Sequence, residues 1–144
     1  MAGSMVLAGV LLKLGVYGVV RVFPFVSGLF EIFTGYVYFF VLVGGILVGF
    51  LCFRQVDLKA LVAYSSVCHI SFCLSRFFVS SSMGRLGGMV VVVSHGFVSS
   101  CLFFLLFVFY CRSGSRSLFF NKGIFWFFPI VGVFWFIFVF LNFG

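Results

Sequence analysis

Residues 7–21 read LAGVLLKLGVYGVVR, an apolar run with Lys13 at its centre. A run of this kind suits the hydrocarbon core of a bilayer, which about 20 apolar residues cross as a helix. A lysine near the middle of such a span costs about 3 kcal/mol on insertion scales, so its charge must be used or neutralised. Snorkelling does not solve the problem, because the ammonium would have to reach across roughly half the bilayer. The rest of the chain must supply the reason for Lys13.

Composition sets the class. Of 144 residues, 65% are hydrophobic and 8% charged, with a mean hydropathy of +1.38. Soluble domains carry about 25% charged residues, and a chain this poor in polar groups cannot cover its core with a wetted surface. The expected fold is all-α, a polytopic transmembrane helix bundle of about five spans. The opening MAGSMVLAGVLLKLG has no basic leader before its apolar run, so no signal peptide is expected, and the hydrophobicity continues after it. A polytopic protein, or a piece of one, is the expectation.

The net charge of +7 does not indicate nucleic acid. The basic residues Lys13, Arg21, Arg54, Lys59, Arg76, Arg85, Arg112, Arg116 and Lys122 form no stripe and mostly punctuate apolar runs, as do the acids Glu31 and Asp57. Cys52, Cys68, Cys73, Cys101 and Cys111 lie in apolar sequence without disulfide-like spacing and read as small buried hydrophobes. Cys68, His69 and Cys73 fall short of the four ligands a structural zinc site takes.

The first span is expected over residues 1–22, closed by Arg21 and Pro24. The second, 35–53, carries no charge and contains Gly45-x-x-x-Gly49, a pair that permits close helix contact. RQVDLK, residues 54–59, marks a membrane boundary. The third span starts at Ala60 with ALVAYSSVCHISFCLS, where Ser65 and Ser66 stand within a turn of His69. The fourth runs from about residue 86 to 110, with His95 and Ser99 one turn apart. A polar loop, CRSGSRSLFFNK, precedes a fifth apolar segment over 123–144. Arg54, Lys59, Arg112, Arg116 and Lys122 are expected on one membrane face, and Arg21, Arg76 and Arg85 on the other, a bias too small to orient the chain. No linker or solenoid repeat divides it.

Lys13, His69 and His95 are thus the ionisable groups at membrane depth, with Lys59 near an entrance. Burial disfavours a charged lysine, and histidine titrates near neutrality already. A lysine and two histidines on facing helices, interleaved with serines that order water, make a path for protons. Each has a plainer reading beside it: either histidine as a hydrogen-bonded packing residue, and Lys59 as an interfacial ion pair with Asp57. No nucleotide loop, haem-like histidine pair or Ser, His and acid set occurs, so redox chemistry within the chain is not expected.

Three stretches, LAGVLLKLGVYGVVR, RQVDLKALVAYSSVCHISF and SHGFVSSCLFFLL, in this order, resemble the subunit 4 family of the mitochondrially encoded NADH dehydrogenase subunits, the antiporter-like membrane subunits of respiratory complex I. The resemblance covers most of the chain, the last apolar segment by character more than by residue. It implies an inverted-repeat fold with broken helices at the proton path, of which residues 1–144 would form a partial antiporter-like domain, from about the eighth helix to the first half of the twelfth. It makes Lys13 a central relay group and sets His69 and His95 on a hydrated axis, although SVCHI and SHG here depart slightly from the family's SVSHM and AHG.

The resemblance also implies that NADH, FMN, iron–sulfur clusters and ubiquinone are bound by other subunits. The partners would be neighbouring antiporter-like subunits and the lipid bilayer of the mitochondrial inner membrane. The family's acidic partners and a second lysine fall outside residues 1–144, so an incomplete subunit is expected, ending where a proline-containing break should follow. Two other classes stay open, a cation/proton antiporter subunit of the same fold family and a membrane scaffold without transport. Phe at 26 of 144 and Gly at 17, with single Thr34 and Gln55, favour T- and G-rich codons, the bias of a small mitochondrial genome such as an invertebrate's.

Overall fold

The computed structural model describes residues 2–26, 31–78 and 82–142. Its elements, in chain order, are α1 (Ala2–Val6), a π-helical turn (Leu7–Leu11), α2 (Leu12–Val26), α3 (Glu31–Cys52), α4 (Leu58–Phe78), α5 (Ser82–Ser113), α6 (Ile124–Phe127) and α7 (Pro129–Leu141). Among the described residues, four helices are long and apolar enough to cross a membrane: Gly3–Phe25, Thr34–Cys52, Leu58–Phe78 and Ser82–Ser113. The chain is an all-α membrane helix bundle, as its composition requires.

The boundaries differ from expectation in ways that backbone chemistry explains. Pro24 does not close the first span, since α2 continues through it to Val26. A proline this near a helix end withdraws one N–H and disturbs only the preceding turn. Lys59 is not a loop residue: α4 starts at Leu58, with the Leu61 N–H on Asp57 O at 2.9 Å. At 32 residues, α5 is about 48 Å long and overshoots a hydrocarbon core of about 30 Å. Gly114, at φ 68°, ends it with its N–H on Tyr110 O at 2.9 Å, a left-handed cap that glycine adopts without a Cβ penalty. Glu31 begins α3, and its side chain lies outside the described residues.

The fifth apolar segment is not one continuous helix. Pro129 starts α7, and Phe128 before it sits at φ −132°, ψ 71°, because the pyrrolidine ring bars the residue ahead of it from the helical region. A proline break therefore divides the segment into α6 and α7. The 13 described residues of α7 reach about 20 Å.

α5 is the hub: it packs on α1, the π-turn, α2, α4 and α7, while α3 packs on α4. One apolar cluster gathers Ala8, Val62, Val98, Leu102, Phe103 and Leu106, and a second gathers Val16, Ile70, Cys73, Phe77 and Val92. Cys73 is buried as expected, but Cys52, Cys68 and Cys101 are half-buried and Cys111 is exposed. The expected Gly45 and Gly49 face does meet a helix: a Cβ on Gly45 would overlap Ser71 Oγ, and one on Gly49 would stand 3.7 Å from Cys68 Sγ.

The two polar loops meet at one end of the bundle. Leu58 N–H bonds Arg116 O at 3.1 Å and Leu118 N–H bonds Val56 O at 2.9 Å, with Asp57 and Ser117 bridged antiparallel. Arg54, Lys59, Arg112, Arg116 and Lys122 thus share an end. At the other, Phe23 of α2 meets the ring of Phe78 at 5.4 Å, and Arg76 lies beside Gly87.

Candidate proton-relay layer

Between the two apolar clusters the helices carry a polar layer. Along α5 it falls at His95 and Ser99, along α4 at Ser66 and His69, and along the first span at Lys13. His95, Ser66 and Ser99 are buried, and Lys13 and His69 are half-buried.

The π-turn gives Lys13 its first partner. Leu12 N–H bonds Leu7 O, whereas an α-helix would send it to Ala8 O, four residues back. Ala8 O instead accepts from Lys13 Nζ. Lys13 Nζ also donates to Ser99 Oγ on α5 at 3.3 Å. A buried carbonyl without a donor is costly in a bilayer, so the lysine and the widened turn resolve each other's deficit. Small residues make the contact possible: a Cβ added to Gly96 would come 3.4 Å from Gly9 O and 3.5 Å from Lys13 Cε. Outward, Lys13 borders an apolar groove of about 500 Å³ with Gly9, Gly96, Phe97 and Ser100.

The histidines meet across α4 and α5, ring centroids 5.2 Å apart and planes tilted by 41°. His95 stands one turn from Ser99 on the same face. Its Nδ1 lies 3.0 Å from Asn142 Oδ1, and its Nε2 is buried with no hydrogen-bond partner among the described residues.

Three of the four expected site residues therefore share this layer, and Lys59 does not. It lies ten residues before His69 on α4, about 15 Å along the axis, beside Phe103, Leu106, Tyr110 and Arg116. Among the described residues Asp57 and Lys59 form no ion pair; the contacts of Asp57 there are through its backbone. Most serines are less free than expected. Ser65, Ser66, Ser94 and Ser100 donate to carbonyls three residues back in their own helices, at 2.9, 2.7, 3.1 and 2.8 Å. Ser99 donates likewise to Gly96 O at 3.2 Å, but its oxygen also serves Lys13.

Sequence reasoning missed two participants. Asn142 had a signal, as the one amide side chain within the last apolar run. The π-turn had none, because LAGVLLK suits a regular helix equally well.

Fold and site together define a multi-pass membrane protein with protonatable groups held in a layer inside its helix bundle. The chain belongs to the membrane-helix family described as NADH:quinone oxidoreductase/Mrp antiporter, which it matches over residues 1–144. Among curated relatives it is 46% identical over 137 residues to NADH-ubiquinone oxidoreductase chain 4 of Aedes aegypti, covering 94% of this chain and 30% of that protein. The corresponding protein of Locusta migratoria is 43% identical over 136 residues, 94% and 31% of the two chains. That of Branchiostoma lanceolatum is 43% identical over 142 residues, 98% and 31%. The chain spans about a third of the length of these relatives.

Proposed function

We propose that this chain is an interior part of the subunit 4 of a proton-pumping NADH:ubiquinone oxidoreductase, respiratory complex I, in the mitochondrial inner membrane. In this reading Lys13, His69 and His95 relay protons across the bilayer. Electrons pass from NADH to ubiquinone in other subunits, which hold the FMN and iron–sulfur clusters. Its partners are the neighbouring antiporter-like subunits of the membrane arm and the surrounding lipid.

The observation that carries the reading is the arrangement around Lys13. Its ammonium is held by the Ala8 carbonyl that the π-turn releases and by Ser99, one turn from a buried histidine whose ring meets a second. Neutral packing residues have no use for such a layer, and a purely structural bundle is more cheaply stabilised by apolar side chains. Among the described residues the partners of Lys13 are a carbonyl and a hydroxyl, with no fixed counter-ion, so a neighbouring charge that arrives or leaves alters how firmly it holds its proton. Coupling to events elsewhere in a complex requires that property.

The test is Lys13→Met in the complete subunit, assembled in the complex and reconstituted in vesicles. Protons moved per NADH oxidised should fall severalfold with the span still inserted; an unchanged ratio removes Lys13 from the relay. The family's description also embraces cation/proton antiporters. Sodium-dependent proton exchange in the absence of NADH would favour that second reading.

A further inference from the structure

Resting on the relay reading above, we infer that Asn142 is a positioning residue that makes His95 a one-port proton station, taking up and releasing its proton through Nε2 alone.

The inference starts from the two ring nitrogens. Nδ1 of His95 lies 3.0 Å from Asn142 Oδ1, and among the described residues Nε2 has no hydrogen-bond partner although the residue is only 5% exposed. A neutral imidazole carries one N–H and one lone pair, and its partners decide which nitrogen holds which. An amide oxygen only accepts, so Nδ1 carries the hydrogen and Nε2 presents the lone pair. The opposite assignment requires the amide turned over, its NH₂ on Nδ1, and leaves an N–H at Nε2 buried without an acceptor. Orphaned buried donors are rarer than under-satisfied acceptors, which favours the first arrangement.

When a proton arrives at Nε2, both nitrogens become donors and Oδ1 keeps its bond to Nδ1, now charge-assisted. The amide itself neither takes up nor gives away a proton near neutral pH. A proton therefore cannot enter at one nitrogen, cross the ring and leave at the other, as it would through a histidine with water or a titratable group on both sides. The Asn142 side is closed, and transfer goes to and from the groups that reach Nε2.

The position of Asn142 adds a mechanical consequence. It sits at the C-terminal end of α7, whose start is the break at Phe128 and Pro129. A displacement of this short helix against α5 changes the Nδ1 contact directly. The helix that carries the break thus holds the tautomer of the relay histidine.

The test uses the complete subunit in its assembled complex, with ¹⁵N-labelled histidine and a His95→Gln control to assign the His95 signals by difference. The native protein should give an Nδ1 of N–H type and an Nε2 of lone-pair type at a pH where His95 is neutral. Asn142→Leu, similar in size but without an acceptor, should shift the tautomer ratio toward Nε2–H by about fivefold, the factor one buried neutral hydrogen bond supplies. Asn142→Asp, which keeps an acceptor oxygen, should restore the native pattern even if the leucine variant assembles poorly. An N–H at Nε2 in the native protein, or an unchanged ratio in Asn142→Leu, overturns the inference. Failure of the relay reading shows separately: pumping unaffected by His95→Gln removes His95 from the proton path whatever its tautomer.

Discussion

Replacing Gly45 with alanine should destabilise the α3–α4 pair, while the same change at Gly49 should not. The two glycines lie one turn apart on one face of α3, so both substitutions gain the same helix propensity, about 1 kcal/mol in water. They differ in what the new methyl meets. At Gly45 it overlaps Ser71 Oγ and comes 3.1 Å from Ser71 Cβ, whereas at Gly49 it stands 3.7 Å from Cys68 Sγ, an ordinary contact. Rotating Ser71 away from the clash breaks its 2.8 Å bond to Cys68 O, and its Cβ cannot move without shifting α4. Overpacking of this kind costs about 1–3 kcal/mol, which is the expected difference between the variants. Cys68 is half-buried beside Gly49, so its rate of modification by a thiol reagent during a heat ramp reports the separation of the helices. Gly45→Ala should expose Cys68 at a lower temperature than Gly49→Ala, and Ser71→Gly should restore it, with a coupling energy typical of contacting residues, about 0.5–3 kcal/mol. Equal stability of the two alanine variants, or no recovery in the double variant, refutes the reasoning.

Two further outcomes follow from close contacts elsewhere. Gly88→Ala places a methyl 2.9 Å from Phe77 Cζ in a fully buried part of the second cluster, where the ring has little room to turn; it should lower the unfolding midpoint in micelles, and Phe77→Leu in the same chain should recover much of the loss. Ser99→Ala removes the hydroxyl that Lys13 reaches, a bond to a charged group costing about 1.5–3 kcal/mol when lost, whereas Ser100→Ala removes only a bond to its own helix. Proton pumping in vesicles should fall in the first and stay unchanged in the second.

Hydropathy made the spans legible, because burying a helix in lipid leaves an apolar run of the right length whatever the neighbours do. The end residues were less legible. α5 runs to Ser82 and Ser113 because residues such as Arg85 and Arg112 sit at or beyond the hydrocarbon edge, where a helix continues without an apolar signature. The last segment looked like one span from hydropathy alone, and only the local effect of Pro129 on Phe128 divides it. Lys13, His69 and His95 were legible for an energetic reason: an ionisable group at membrane depth must have a use or a partner. Their partners were not. Ala8 O is a backbone group that no side-chain pattern announces, and Asn142 is a lone amide 47 residues from His95.

The site is built from departures from regular helix, and the bilayer explains why they occur where they do. In hydrocarbon each backbone carbonyl or N–H left without a partner costs several kcal/mol, so a π-turn facing lipid would be selected against. Here the turn faces α5, and the carbonyl it releases is taken up by Lys13. The break at Phe128 falls near the basic end, where the Arg112 guanidinium lies over the Phe128 ring at 4.5 Å, and α7 beyond it brings Asn142 back to His95. Each irregularity thus supplies what an ideal helix withholds: the first a free acceptor, the second a side chain at the right depth. Straightening either one should remove a polar partner, from half-buried Lys13 in one case and from buried His95 in the other. The charge in LAGVLLKLGVYGVVR is tolerated because the backbone around it is not regular.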